Sequence, residues 1–267
     1  EQGKKFGIMG STDQHAGYPG SYGDGRIGVL AESLTRDKIW DAMKNRHVCC
    51  ATGDKINIDF RLNDAFPGDV VRGNSRRIYL NVEGGSCIDY IDIVKNRKCI
   101  ARLSGPLLPE MPEGDMVRCK VKIDFGWNRE EQYVHWQGKL SISKGTINAV
   151  EPCFRGAAFT SPQPGEPEFE TKVNRIVSVT DKDTELDMYS SKNPNTTTPA
   201  MQAVILDVTM PKDGMITAEF NGKKFEHSLG ELLEGSRSHF MIGWLSEAIL
   251  FNRAMPESCF MVEHYME

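Results

Sequence analysis

Asp13 and His15 are the residues whose types and spacing best suit chemistry, standing in Gly10-Ser11-Thr12-Asp13-Gln14-His15 just after the apolar run Phe6-Gly7-Ile8-Met9. If that run is a strand, side chains two positions apart share a face. A carboxylate and an imidazole converging from one face offer a hard oxygen and a borderline nitrogen, donors suited to a divalent transition metal such as Zn, Mn or Fe. The plainer reading is a solvated surface Asp beside a surface His, and a metal site needs further ligands. The next segment, Ala16 to Gly25, holds four glycines and a proline. It reads as a loop over the strand end, where binding residues gather. Tyr18 and Tyr22 in that loop are candidate substrate contacts.

The elements that must position these residues alternate between strand and helix over the first sixty positions. Phe6 to Met9 and Ile27 to Ala31 read as strands, and Thr35 stands at an N-cap position, its hydroxyl able to accept from the first free amides of a helix. Ile39, Met43 and His47 recur at spacing four, giving that helix an apolar side. Cys49 to Thr52 lead to Gly53, after which Ile56, Ile58, Phe60 and Leu62 alternate with polar residues as in a half-buried strand.

From Asn63 the pattern becomes β. Ile78, Leu80 and Val82 alternate, and Ile88 to Val94 and Cys99 to Leu103 read as a hairpin turned at Lys95-Asn96-Arg97. Val117 to Ile123 alternates again. Tyr133 to Ile142 and Thr146 to Val150 read as a strand pair joined at Ser143-Lys144-Gly145. Strands are further expected at Val173–Val179, Ala203–Val208, Met215–Phe220 and Phe240–Phe251, with a short helix at Ser228–Leu233. Loops are expected at Thr160–Pro167 and Ser190–Pro199. Short strands with glycine-containing turns favour an antiparallel sandwich.

Four ordered blocks carry a family resemblance: Gly10-Ser11-Thr12-Asp13-Gln14-His15-Ala16-Gly17-Tyr18-Pro19-Gly20, then Gly28-Val29-Leu30-Ala31-Glu32, then Thr35 through Met43, then Ala51-Thr52-Gly53-Asp54-Lys55-Ile56. Together they resemble the closing portion of a PHP-type metallohydrolase of the DUF3604 branch. A later stretch, Asn221 to Phe225 and Gly235 to His239, resembles a late segment of the same branch, with less diagnostic motifs. The resemblance implies a distorted (β/α)7 barrel whose last metal-binding motif is Asp-x-His, here Asp13 and His15. The family's earlier ligands, a His-x-His and further His and Glu residues, find no match, since no two of the six histidines are separated by one residue.

The chain is therefore expected to be α/β plus all-β. Residues 1–62 would be the C-terminal strands and helix of a PHP-like barrel, and residues 63–267 a domain rich in antiparallel β-sandwich. With neither an initiator Met nor room for six earlier strands, it reads as the C-terminal part of a longer protein, inactive alone. Its expected partner is the missing N-terminal barrel portion or a complementary chain; a second copy of itself is a further candidate. The resemblance implies hydrolysis, with a phosphoester as the favoured small-molecule substrate and a multinuclear site of divalent Zn, Mn or Fe. Thr52 and Gly53, near the implied barrel mouth, offer a hydroxyl and bare backbone for an anion, though Gly53 also suits a turn. Glu32 reads either as a partner orienting a metal-bound histidine or as a surface carboxylate at the helix start. His239 reads as a contact from the second domain or as a structural histidine.

Composition narrows the classes. A net charge of −5 argues against general affinity for nucleic acid, which needs a basic surface. Arg72, Arg76 and Arg77 cluster locally, as a solvated face does. No apolar run approaches the roughly 20 residues that span a bilayer. Seven cysteines without Cys-x-x-Cys spacing suggest free thiols in a reducing compartment, hence the cytoplasm. No Gly-x-Ser-x-Gly, phosphate-binding glycine loop or dinucleotide fingerprint competes. Two rival readings remain: a binding or assembly module with a vestigial metal motif, and a carbohydrate-binding sandwich using Trp127, Trp136 or Trp244 as stacking platforms.

Overall fold

The computed structural model describes residues 3–11, 25–53, 55–106, 110–128, 133–154, 174–192, 201–244 and 246–267. Along the chain run β1 (Gly25–Val29), α1 (Arg36–Lys44), β2 (Val48–Thr52), β3 (Asn57–Leu62), β4 (Ile78–Glu83), β5 (Tyr90–Lys95) and β6 (Lys98–Ser104). There follow β7 (Val117–Gly126), β8 (Tyr133–Ile142), β9 (Thr146–Pro152), β10 (Arg175–Val179), β11 (Asp183–Ser191) and β12 (Gln202–Met210). The last elements are β13 (Met215–Phe220), β14 (Lys223–Ser228), α2 (Leu229–Glu234), β15 (Arg237–Phe240), β16 (Ala248–Phe251), β17 (Met255–Pro256), α3 (Glu257–Phe260) and β18 (Met261–Met266). The fold is mostly β, and every strand pairing is antiparallel among the described residues. Two compact units divide after Gly105, well beyond the change of pattern at Asn63, and the first unit also takes Ser258–Glu267.

In the first unit, β1 pairs antiparallel with β2, placing Gly25 opposite Thr52 and Val29 opposite Val48. Successive strands of a (β/α) barrel would run parallel, so this pair is not a βαβ unit. Phe6 to Met9 forms no strand, and Phe6 is 75% exposed. Thr35 does occupy the N-cap of α1 with extended backbone, but its side chain makes no cap hydrogen bond; its carbonyl accepts from the Ile39 amide at 3.0 Å. The helix ends at Lys44, and Arg46 follows in the left-handed region at φ 66°. His47 therefore lies beyond the helix, its Nε2 2.9 Å from Asp69 Oδ1 and its ring beside Phe66.

A second sheet of this unit has the order β18-β4-β3. The alternation in β4 sends Ile78, Leu80 and Val82 inward, leaving Tyr79, Asn81 and Glu83 on the opposite face. The hairpin β5–β6 forms where expected. Asn96 and Arg97 at its turn both take positive φ, 51° and 66°, the geometry that matches strand twist in a two-residue loop.

The second unit carries the expected sandwich core. One sheet runs β10-β11-β8-β13-β14; the other runs β15-β16-β7-β12-β9, with β17 paired to β7. Inward residues of both sheets merge into one apolar cluster around Trp136, Phe125, Met188, Leu206 and Phe220. Phe125 meets Trp136 edge-on at 5.5 Å and Phe220 at 4.8 Å. Contrary to the sequence pattern, β8 and β9 do not pair. Gly145, at φ 83°, turns the chain against Thr209, and β9 joins β12 in the other sheet. Ile142 and Ile147 thus reach the same core from different sheets. The expected strand Phe240–Phe251 is two strands, β15 and β16, paired through a connection at 241–247. The expected short helix is α2, closed by a capping box in which Ser228 Oγ accepts from the Glu231 amide and the Glu231 carboxylate accepts from the Ser228 amide. The loop expected at Thr160–Pro167 and most of that at Ser190–Pro199 lie outside the described residues.

The outer face of the β10–β14 sheet is polar and shows one clear electrostatic dependence. His135 Nε2 lies 2.7 Å from Asp187 Oδ1, and Arg175 donates to Asp187 Oδ2 at 2.8 Å. The hydrogen bond from His135, and after it the one from Arg175, hold the Asp187 carboxyl below its ordinary value. A carboxyl depressed in the folded state contributes stability that is complete above the unfolded value of about 3.9 and lost as pH falls through the folded value. Denaturant midpoints should therefore drop below about pH 4 in the native chain, and Asp187→Asn should flatten that part of the profile. An unchanged profile in the variant would remove Asp187 from the acid response.

Candidate functional site

The segment entering the Asp-x-His motif is laid along the β1–β2 pair by close backbone contact. Gly7 lies against Val48, and a Cβ on Gly10 would stand 2.5 Å from the Arg26 carbonyl oxygen and 3.1 Å from that of Ala51. A Cβ on Gly25 would collide with the Ser11 carbonyl group. Backbone atoms cannot swing aside as a side chain can, so Gly10 and Gly25 are required by approach. The segment advances in the direction of β2 and brings Ser11 to the end of the ladder where Gly25 faces Thr52. Asp13, His15, Tyr18 and Tyr22 lie outside the described residues.

Thr52 and Gly53 lie at that same end. Thr52 is exposed, and Gly53 takes φ 77°, with no atom of the described residues beyond its chain neighbours within 4 Å of where a Cβ would be. The backbone therefore requires a turn here. Glu32 lies after β1, in the bend before α1, exposed and paired with Lys38 at 2.5 Å. The hydrogen bond from Lys38 lowers its carboxyl, consistent with a surface carboxylate beside the helix start.

A cleft of about 550 Å³ in the same unit gathers residues that the apolar pattern alone does not pick out. Arg26 and Lys55 line it with Asn57, Asp59, Asn81 and Glu83. The register explains the polar wall: Asn57 faces Glu83, and Asp59 faces Asn81, all on the side of β3 and β4 opposite Ile58, Phe60, Leu80 and Val82. Asp59 is tied to Arg61 at 2.5 Å. Asn81 Oδ1 is buried and accepts no hydrogen bond among the described residues. Such an acceptor carries a desolvation cost unless a donor reaches it, so a bound hydroxyl, amine or water suits it. Arg26 links the cleft to the motif, because its backbone also touches Gly10. The clue in the sequence was the polar half of the β3 and β4 alternation.

In the second unit, His239 lies on β15 with its ring stacked on Phe225 at 4.4 Å and its Nε2 2.7 Å from that of His227. Burial, and then the neighbouring His227, hold it below the ordinary imidazole value. Trp136 is fully buried and offers no stacking platform, whereas Trp127 and Trp244 are exposed.

Comparison with protein-family models, curated proteins and solved structures found no match. Among the described residues, no group of three or more His, Cys, Asp and Glu side chains could hold a metal ion. No helix among them is long and apolar enough to cross a membrane.

Proposed function

We propose that this chain is the C-terminal part of a PHP-like, DUF3604-type metal-dependent hydrolase acting on a phosphoester. Asp13 and His15 contribute to a multinuclear site completed by residues outside this chain. The observation that carries the reading is the glycine-tight placement of the segment ending at Ser11, two residues before Asp13, at the end of the β1–β2 ladder beside Thr52 and Gly53. A segment held this closely by backbone contact gives the following motif a fixed point of departure.

The donor set fits a divalent Zn, Mn or Fe ion: Asp13 would supply an oxygen and His15 a nitrogen. Such an ion, when bound, lowers the pKa of water and stabilises charge on a phosphoryl oxygen. The chain's other residues serve binding. Arg26 and Lys55 bring positive charge to the cleft, suited to the substrate's anionic oxygens, and Asn81 Oδ1 takes a substrate hydroxyl. Tyr18 and Tyr22 serve as substrate contacts, and Thr52 and Gly53 hold an anionic oxygen. The exposed apolar side chains Phe6, Ile8, Met9, Leu34 and Trp40 support a covering partner, the remainder of the proposed hydrolase or a complementary chain. Free cysteines support a cytoplasmic setting.

The test is hydrolysis of a chromogenic phosphoester by the complete protein. Activity should require divalent metal and fall by at least about 100-fold in Asp13→Ala, as for loss of a group that positions reacting atoms. Full activity in that variant would refute the reading.

A further inference from the structure

His227 and His239 sit on strands that end two different sheets, β14 in one order and β15 in the other. Their Nε2 atoms are 2.7 Å apart, while the ring centroids are 5.0 Å apart and the planes are inclined by 21°. That separation is close to the nitrogen contact plus two imidazole radii, so the rings meet end to end and nearly coplanar. Only one hydrogen fits between the two nitrogens, and the other nitrogen presents its lone pair.

The surroundings fix the planes of both rings. Phe225 stacks on His239 at 14°, and Phe251 turns its edge-on face to His227 at 5.3 Å and to His239 at 6.2 Å. Glu231 Oε2 stands 3.6 Å from His227 Nδ1, at ion-pair distance, while accepting from the Ser228 amide at 2.9 Å. That amide hydrogen bond, with smaller contributions from the Ser228 hydroxyl, His227 and Arg237, keeps the Glu231 carboxyl below its ordinary value. An anion beside Nδ1 favours the tautomer with hydrogen on Nδ1 and the lone pair on Nε2, the arrangement in which histidine ligates metals.

We propose that His227 and His239 form a bis-imidazole site for a borderline divalent transition metal, copper or zinc, bound between their Nε2 atoms at the open edge of the sandwich. In the tautomer that Glu231 favours, His227 holds its hydrogen on Nδ1. The hydrogen on His239 Nε2 moves to its own Nδ1 through water, so two neutral imidazoles face the ion and no proton is released. Zinc–nitrogen bonds of about 2.0–2.1 Å in tetrahedral geometry place the two nitrogens about 3.3 Å apart. The nitrogens then separate by about 0.6 Å, and each ring turns within its plane by roughly 35° so that its Nε2 lone pair points at the ion. Water completes the coordination, because both rings retain partial exposure.

The site is independent of the Asp13 and His15 motif, and its test removes that motif. The full chain carrying Asp13→Ala and His15→Ala is titrated with ZnCl2 and with CuCl2 by calorimetry, and the copper form is recorded by electron paramagnetic resonance. One equivalent should bind, copper more tightly than zinc, with nitrogen hyperfine structure from two imidazoles. His227→Gln and His239→Gln should each weaken binding at least tenfold, and His264→Gln, on β18, should leave it unchanged. Glu231→Gln keeps both rings and the helix cap, so it tests the site without unfolding it; it should weaken binding about tenfold or more. Absence of saturable binding, or binding unchanged in the His227, His239 and Glu231 variants, would overturn the proposal.

Discussion

Trp136→Ala should destabilise the second unit by about 3–5 kcal/mol, the cost of emptying a large aromatic site in a close-packed core. Trp136 is fully buried and packs against Phe125, which in turn meets Phe220. Its indole Nε1 donates to Ser190 Oγ at 2.8 Å, and that hydroxyl donates to Asn128 Oδ1 at 2.8 Å. Removing the ring leaves both a cavity and a buried hydroxyl without its donor. Trp136→Phe should cost less, since most of the volume remains and only the hydrogen bond is lost. Trp244, 81% exposed, provides the contrast: its replacement by Ala should fall within about 0.5 kcal/mol of the native chain. Chemical denaturation followed by far-ultraviolet circular dichroism reads all three. Equal midpoints for Trp136→Ala and Trp244→Ala would contradict the packing described.

Gly10→Val should act on the first unit in a different way. Its Cβ would fall 2.5 Å from the Arg26 carbonyl oxygen and 3.1 Å from the Ala51 carbonyl oxygen, both backbone atoms of a paired ladder. The ladder holds them, so the segment leading to Asp13 must lift away. A displacement of about 1 Å at catalytic groups can cost about 100-fold in rate. The proposed metal-dependent hydrolysis should fall by about that factor or more, while the second unit keeps its denaturation midpoint. Gly243→Val is the matched control, because no atom of the described residues beyond its chain neighbours lies within 4 Å of its Cβ position and its φ is not positive. Unaltered hydrolysis in Gly10→Val would show that the tight contact does not position the motif.

Much of the strand order was legible because alternation reports a buried face directly. β4, β7 and β13 follow their apolar residues, and the β5–β6 turn follows from Asn96 and Arg97. Partner choice was not legible from the same signal. β8 and β9 are joined by a short turn and share a core, yet alternation cannot say whether neighbouring strands lie in one sheet or face each other across it. Phe6 to Met9 is apolar without being a strand, since its backbone is placed by Gly7 and Gly10 rather than by a ladder. For the site, the Asp-x-His spacing stood out because its two side chains lie only two positions apart in sequence. Arg26, Lys55 and Asn81 did not, because three separate stretches of chain bring them together. His227 and His239 were hidden for the same reason, twelve positions apart and joined across two sheet edges.

The most direct test of the central claim is the metal content of the complete protein, purified natively and measured by mass spectrometry, beside Asp13→Ala and His15→Ala variants. On the proposed reading the native protein should hold zinc, manganese or iron and both variants less, without change in the second unit's fold by circular dichroism. Because His227 and His239 are intact in all three proteins, any copper or zinc they hold is common to them and cancels in the comparison. Equal metal content in the native protein and both variants would contradict the assignment of Asp13 and His15 as metal ligands.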